Sequence, residues 1–209
     1  MREIHQIMPA LVYGDAIGNH AVELWRLLRG WGMPSSIWAD YIDPRYAYAA
    51  RPYREYRGSA RNVLIYHYSI GSPLTAFVRG LGDQVIPYYH NITPPHFFRG
   101  INPAFASELS RGREELQSLR DLPHALAASE FNRLELLEVG FRQVEVVPYL
   151  IDFARLERGA QAPAAQSFRQ RYAGEGRKFL FVGRIAPNKC QHDLIHFLHA
   201  RGFQAGGTA

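Results

Sequence analysis

What most limits this chain's fold is an alternation: short apolar runs give way to glycine- or proline-marked turns, then to stretches of helical spacing. Residues 4–12 are mostly apolar and of strand length. A loop holding Gly14, Asp15 and Gly18 breaks the run, and Ala21, Val22, Leu24, Trp25, Leu27 and Leu28 then recur at helical spacing up to Gly30 and Gly32. The unit returns several times. Strands are expected at 35–39, 62–68, 84–89, 124–128 and 143–147. Helices are expected at 73–79 behind Ser72, at 102–119, around Leu134 to Val139, where Ser129 caps the start and Gly140 closes the end, and, short, around Phe168 to Tyr172. Parallel strands need long crossovers, so this recurrence predicts an α/β doubly wound parallel sheet across 4–147. Pro87 lacks an amide hydrogen and argues against a central place for its strand, or else for a bulge there.

Residues 43–58 depart from the pattern and alternate Arg with Tyr. Such a segment can stack on bases or lie on an anionic lipid surface. The plainer reading is a surface loop whose tyrosines pack beneath it. The whole chain has 24 Lys and Arg against 19 Asp and Glu, a formal charge of +5, and its basic residues are spread without a long block. So modest and spread an excess fits an enzyme of anionic substrates as easily as a nucleic-acid binder, although no long basic block supports the latter. Cys190 is the one cysteine, which excludes an intramolecular disulfide and a cysteine-based zinc cage. Neither a secretory leader pattern nor a membrane-length apolar run is legible, so a cytoplasmic protein is expected, with peripheral contact at an anionic inner membrane face left open.

Residues 178–189 hold the densest chemistry. Phe179 to Val182 reads as a buried strand, Gly183 and Pro187 punctuate a loop carrying Arg184, and Asn188 reads as the cap of a helix whose first turn holds Lys189. Two cations and a helix N-terminus aimed at one point would receive a phosphate or diphosphate; ordinary solvated surface charges are the alternative. Ligands of open α/β sheets bind beyond the carboxyl ends of the strands. The polar or flexible residues there are Gly14, Asp15 and Gly18, then Tyr68 and Ser69, then His90 and Asn91, then Ser129 and Glu130, and last Arg184. His67 is a weaker candidate in the same cleft. The spacing of Gly14 and Gly18 does not match a nicotinamide-binding fingerprint.

The run Phe181-Val182-Gly183-Arg184 with Lys189 five residues on, and the run Tyr88-Tyr89-His90-Asn91-Ile92-Thr93-Pro94, resemble motifs of retaining GT-B glycosyltransferases of the family 4 type. The resemblance implies a Rossmann-like GT-B N-terminal acceptor-side domain at 1–159, a linker at 160–176, and at 177–209 the start of an incomplete second Rossmann-like domain that binds a nucleotide sugar. It implies sugar transfer from a nucleotide-diphosphate donor to a saccharide or lipid-linked hydroxyl acceptor with retention, in polysaccharide or glycoconjugate synthesis. Arg184 and Lys189 would hold the departing diphosphate and His90 would contact the donor sugar. Gly14, Asp15, Gly18, Tyr68, Ser69, Asn91, Ser129 and Glu130 would line the donor and acceptor cleft. Neither a metal nor a further cofactor is implied.

The family's acidic donor-gripping motif has no counterpart after Lys189, and residues 202–209 read as a tail without a strand. A truncation or frameshift, with low or no activity of the isolated chain, is therefore expected. The competing classes are a non-catalytic sugar- or acceptor-binding module and, through Arg51, Arg54 and Arg57, a nucleic-acid binder.

Overall fold

A computed structural model describes residues 2–174 and 177–202. Seven strands form one sheet: β1 (Ile4–Leu11), β2 (Ile37–Ile42), β3 (Ala50–Pro52), β4 (Val63–Tyr68), β5 (Gln84–Tyr89), β6 (Ala125–Ala127) and β7 (Val144–Val146). Their order is β3-β2-β1-β4-β5-β6-β7, and every neighbouring pair is parallel. This is the Rossmann-like doubly wound arrangement, built outward in both directions from β1 and β4. The crossovers include α1 (Ala16–Gly30), α2 (Leu74–Arg79), α3 (Pro103–Leu116) and α4 (Glu130–Val139). Beyond β7 come α5 (Phe153–Ala160), α6 (Pro163–Arg171) and α7 (Gln191–Ala200).

Strand side chains alternate between faces, and the core divides accordingly. Ile7, Leu64, Tyr66, Tyr68 and Tyr89 pack with Leu74, Leu109, Leu116 and Leu136 from α2, α3 and α4. Met8, Ile37 and Ala39 pack with Ala21 and Val22 of α1 on the other side. Gly71 and Gly112 bring the loop after β4 and α3 close together: a Cβ on Gly112 would stand 2.6 Å from the backbone nitrogen of Gly71. Local chemistry sets the helix ends. Asn102 Oδ1 accepts from the Phe105 amide at 3.0 Å to start α3, and Ser129 Oγ accepts from the Asn132 amide at 3.2 Å to start α4. Gly140, at φ 107°, closes α4 in the left-handed region where a side chain is disfavoured.

Several expectations are corrected. Pro87 is central, because β5 pairs with β4 over its whole length and with β6 only at Tyr88 and Tyr89. The Gln84 and His90 amides donate to the β4 side, so position 87 faces the β6 side, where pairing begins only at Tyr88. Residues 50–52 add an edge strand inside the Arg/Tyr segment, whose Tyr46, Tyr53 and Tyr56 are buried as the plainer reading had it. The short helix expected around Phe168 to Tyr172 starts earlier, as α6 from Pro163 within the stretch read as linker, and Glu175 and Gly176 at that stretch's end lie outside the described residues.

Residues 179–182 form no strand. Leu180, Val182 and Ile185 are 75%, 84% and 96% exposed, and no strand of the sheet pairs with this run. Nor does Asn188 cap a helix. Residues Pro187–Lys189 form a 3-10 turn, Cys190 sits in the left-handed region at φ 51°, and α7 starts after it. Lys189 thus stands two positions before the helix instead of lying in its first turn. The expected tail at 202–209 falls, from residue 203 on, outside the described residues. Among the described residues no helix is long and apolar enough to cross a membrane.

Candidate functional site

The strand order reverses between β1 and β4, so the loops leaving those two strands run to opposite faces and open a crevice at their carboxyl ends. A cavity of about 760 Å³ occupies it. β1 and the start of α1 contribute Val12, Asp15 and Ile17; the end of β4 gives His67, Ser69 and Ile70; the end of β5 gives His90, Asn91 and Thr93. Phe105 and Leu109 of α3 and Phe131 and Asn132 of α4 form an apolar and amide-bearing wall. Arg184, Asn188 and Lys189 close the remaining side. Asn188 Nδ2 lies 3.5 Å from Thr93 Oγ1, the contact that ties this segment to the sheet end.

The β1–α1 turn owes its shape to two glycines. Gly14 has φ 79°, a left-handed conformation. A Cβ on Gly18 would fall 2.5 Å from the Val12 carbonyl oxygen, so only glycine lets α1 approach the strand end this closely. Asp15 Oδ2 accepts from the Ile17 amide at 3.1 Å and the Gly18 amide at 3.3 Å. The first-turn amides that a ligand phosphate could have used already have an acceptor. Gly14 and Gly18 therefore shape the loop, and Asp15 alone of the three lines the cavity.

At the end of β5, Asn91 holds φ 75°, an uncommon backbone for a residue with a side chain. A network fixes it there. Asn91 Nδ2 donates to Asn132 Oδ1 at 3.2 Å and Glu135 Oε2 at 3.1 Å, while the Tyr89 hydroxyl donates to Glu135 Oε2 at 2.7 Å. Arg113 pairs with Glu135 and donates to the Ile92 carbonyl at 2.7 Å. Strain held by its surroundings is a feature of ligand clamps.

Behind the cavity, on the α1 face of the sheet, lies a nest of imidazoles. His67 Nδ1 and His90 Nε2 are 2.8 Å apart, His67 Nε2 is 2.9 Å from Gln6 Oε1, and Gln6 Nε2 donates to the Ala21 carbonyl at 3.0 Å. His20 Nδ1 accepts from the Leu150 amide at 2.9 Å, and Tyr149 stacks on His90 with ring centroids 5.4 Å apart. Gln6 and the three histidines are all buried. Burial disfavours their charged forms: His20 is lowered to about 4 and His90 to about 3, and His67 falls well below the ordinary range through burial and its two histidine neighbours. At neutral pH the nest is uncharged, while the opposite wall carries Arg184 and Lys189.

Of the residues read from the sequence, Asp15, Ser69, His90, Asn91, Arg184 and Lys189 come together here, with His67 beside them. The others do not line the cavity. Tyr68 is buried on the opposite face, where its hydroxyl donates to the Gly112 carbonyl at 2.7 Å; Ser129 caps α4; Glu130 pairs with Arg133 at the surface. Thr93, Asn132, Asn188 and Gln6 were missed. Gln6 alone left a signal, a polar residue inside an apolar strand.

No family model matches the sequence, and no curated protein matches it. Among solved structures, one similar chain is a phenylacrylic acid decarboxylase from Aquifex aeolicus, 14% identical, covering 85% of this chain and 100% of that one, with a TM-score of 0.27. At that level the likeness says nothing of this chain's activity. The expected membership of the family 4 glycosyltransferases is overturned on these findings. Family models and curated relatives give it no support. The strand that carried its Arg/Lys motif is not formed. Retaining sugar transfer, polysaccharide synthesis and a sugar-binding remnant of such an enzyme go with it.

Proposed function

We propose that the chain is a small-molecule-binding α/β domain of the enzyme type whose cleft takes a phosphate-bearing ligand. One observation carries this reading: Arg184 and Lys189 stand on the rim of a 760 Å³ cavity that also meets the ends of β1, β4 and β5. Cations on long side chains lower the energy of an anion brought into a partly enclosed cleft, where water screens less. Asp15, the cavity's one carboxylate, is committed to the amides of α1, so the rim favours anions. The neutral imidazole floor suits the uncharged remainder of such a ligand. As an enzyme, the domain would use the same two cations to stabilise charge that grows on the phosphate during reaction.

The test is calorimetric titration with inorganic pyrophosphate and with a nucleoside diphosphate. Binding that weakens at least tenfold in both Arg184→Ala and Lys189→Ala supports the reading. Absence of binding by either probe, or binding indifferent to both substitutions, overturns it.

A further inference from the structure

Gln6 lies in the middle of β1, and nothing in the anion-binding reading requires it. Its side chain is wholly buried. Its orientation is dictated by a backbone group that can only accept: the Ala21 carbonyl takes the Gln6 Nε2 hydrogen at 3.0 Å. Gln6 Oε1 is therefore turned to His67 Nε2, 2.9 Å away, and an amide oxygen can only accept. His67 must carry its proton on Nε2. In a neutral ring this leaves Nδ1 as a lone pair, so the 2.8 Å contact to His90 requires His90 to donate from Nε2. His90 Nδ1 is then an acceptor; it is buried and has no protein partner.

We propose that Gln6 is the positioning residue that sets the protonation pattern of the cleft floor, fixing His90 through His67 with its proton on Nε2 and its lone pair on Nδ1. The hydrogen bonds run one way, from His90 to His67 to Gln6 to the Ala21 carbonyl, across residues 84 positions apart in sequence. His20 is fixed independently at the other side. The Leu150 amide, which can only donate, engages His20 Nδ1, so the proton of His20 is on Nε2, a buried donor that also lacks a protein partner. The two rings are 6.3 Å apart. A ligand atom that engages His90 Nδ1 must donate. A hydroxyl or an ammonium can do so, whereas a carboxylate oxygen only accepts. This statement about the ligand rests on the cleft being a ligand site; the tautomer pattern does not.

Long-range nitrogen–proton NMR of histidine-labelled, ligand-free protein at pH 7 tests the pattern directly and is independent of anion binding. His67 and His90 are both expected as Nε2-protonated neutral rings. In Gln6→Leu the acceptor is gone, and the widely separated His90 nitrogen resonances are expected to converge as both tautomers become populated, with His124 unmoved. In Gln6→Glu either ionisation state still offers an oxygen to His67, so the wild-type pattern is expected to return. A wild-type His90 protonated on Nδ1, or a His90 spectrum unchanged in Gln6→Leu, overturns the proposal. Should Gln6→Leu fail to fold, the wild-type and Gln6→Glu spectra decide it: Nδ1 protonation of His90 in either one refutes the relay.

Discussion

Acidification from pH 7 to pH 5 is expected to destabilise the protein steeply, because the histidines take up protons in the unfolded chain while the buried nest stays neutral. His20 and His90 titrate at about 4 and about 3 in the folded chain, against an ordinary histidine value of 6.5. Their folded values are depressed, so the unfolded chain binds more protons throughout this window and stability rises with pH. The contribution is fully present above about 6.5 and drains away as pH falls below it. At about 1.4 kcal/mol per pH unit, each ring loses roughly 2 kcal/mol between pH 7 and pH 5, or about 4 kcal/mol for the two. His67 shifts in the same direction and adds to the loss. The loss is comparable to a large part of a typical domain stability of about 5–15 kcal/mol. Carboxylates interfere little. Asp43, held low chiefly by its hydrogen bonds from Arg45, loses its contribution only below the ordinary carboxylate range. Urea unfolding followed by tryptophan fluorescence at pH 7, 6 and 5 measures the slope. A free energy of unfolding that stays level or rises on acidification would refute the neutral, buried nest.

Other expectations concern close approach and capping. Gly18→Ala drives a Cβ against the Val12 carbonyl and should cost about 1–3 kcal/mol, read as a fall in thermal midpoint of several degrees. Gly112→Ala meets the Gly71 backbone nitrogen and should cost a similar amount, with the α3 amides exchanging faster; an unshifted midpoint would show that the two segments separate freely. Ser129→Ala removes the side-chain acceptor at the start of α4 and should lower stability by about 1 kcal/mol in denaturant titration. Leu136, fully buried in the large core, should lose about 2–5 kcal/mol on truncation to Ala in the same titration.

The elements legible in the sequence are those whose signals are local. Ser129 with Gly140 framed α4, and the apolar runs marked β1, β4 and β5 to within a residue or two. Strand β3 escaped because three residues beside Tyr53 carry no periodicity, and only pairing with β2 makes them a strand. The opposite error at 179–182 has the same cause. Strong β-propensity marks a segment that would fit a sheet, yet no ladder forms without a neighbour to share its hydrogen bonds. Helix α5 was not read at all and α6 only at its end, around 168–172, although Asp152 accepts from the Arg155 amide and Pro163 opens α6. At the site, strand ends pointed to the right rim. The His67–Gln6 bond spans 61 residues and the Asn91–Asn132 bond 41, distances over which a sequence pattern carries no geometry.

The ribbon around Leu180, Val182 and Ile185 has a consequence for handling in solution. Greasy side chains bared to water, on a backbone able to form a ladder, invite another extended strand to lie alongside. Colloidal behaviour should therefore track protein concentration, with self-association setting in well before the parallel sheet itself loosens, and added negative charge near Leu180 should delay it.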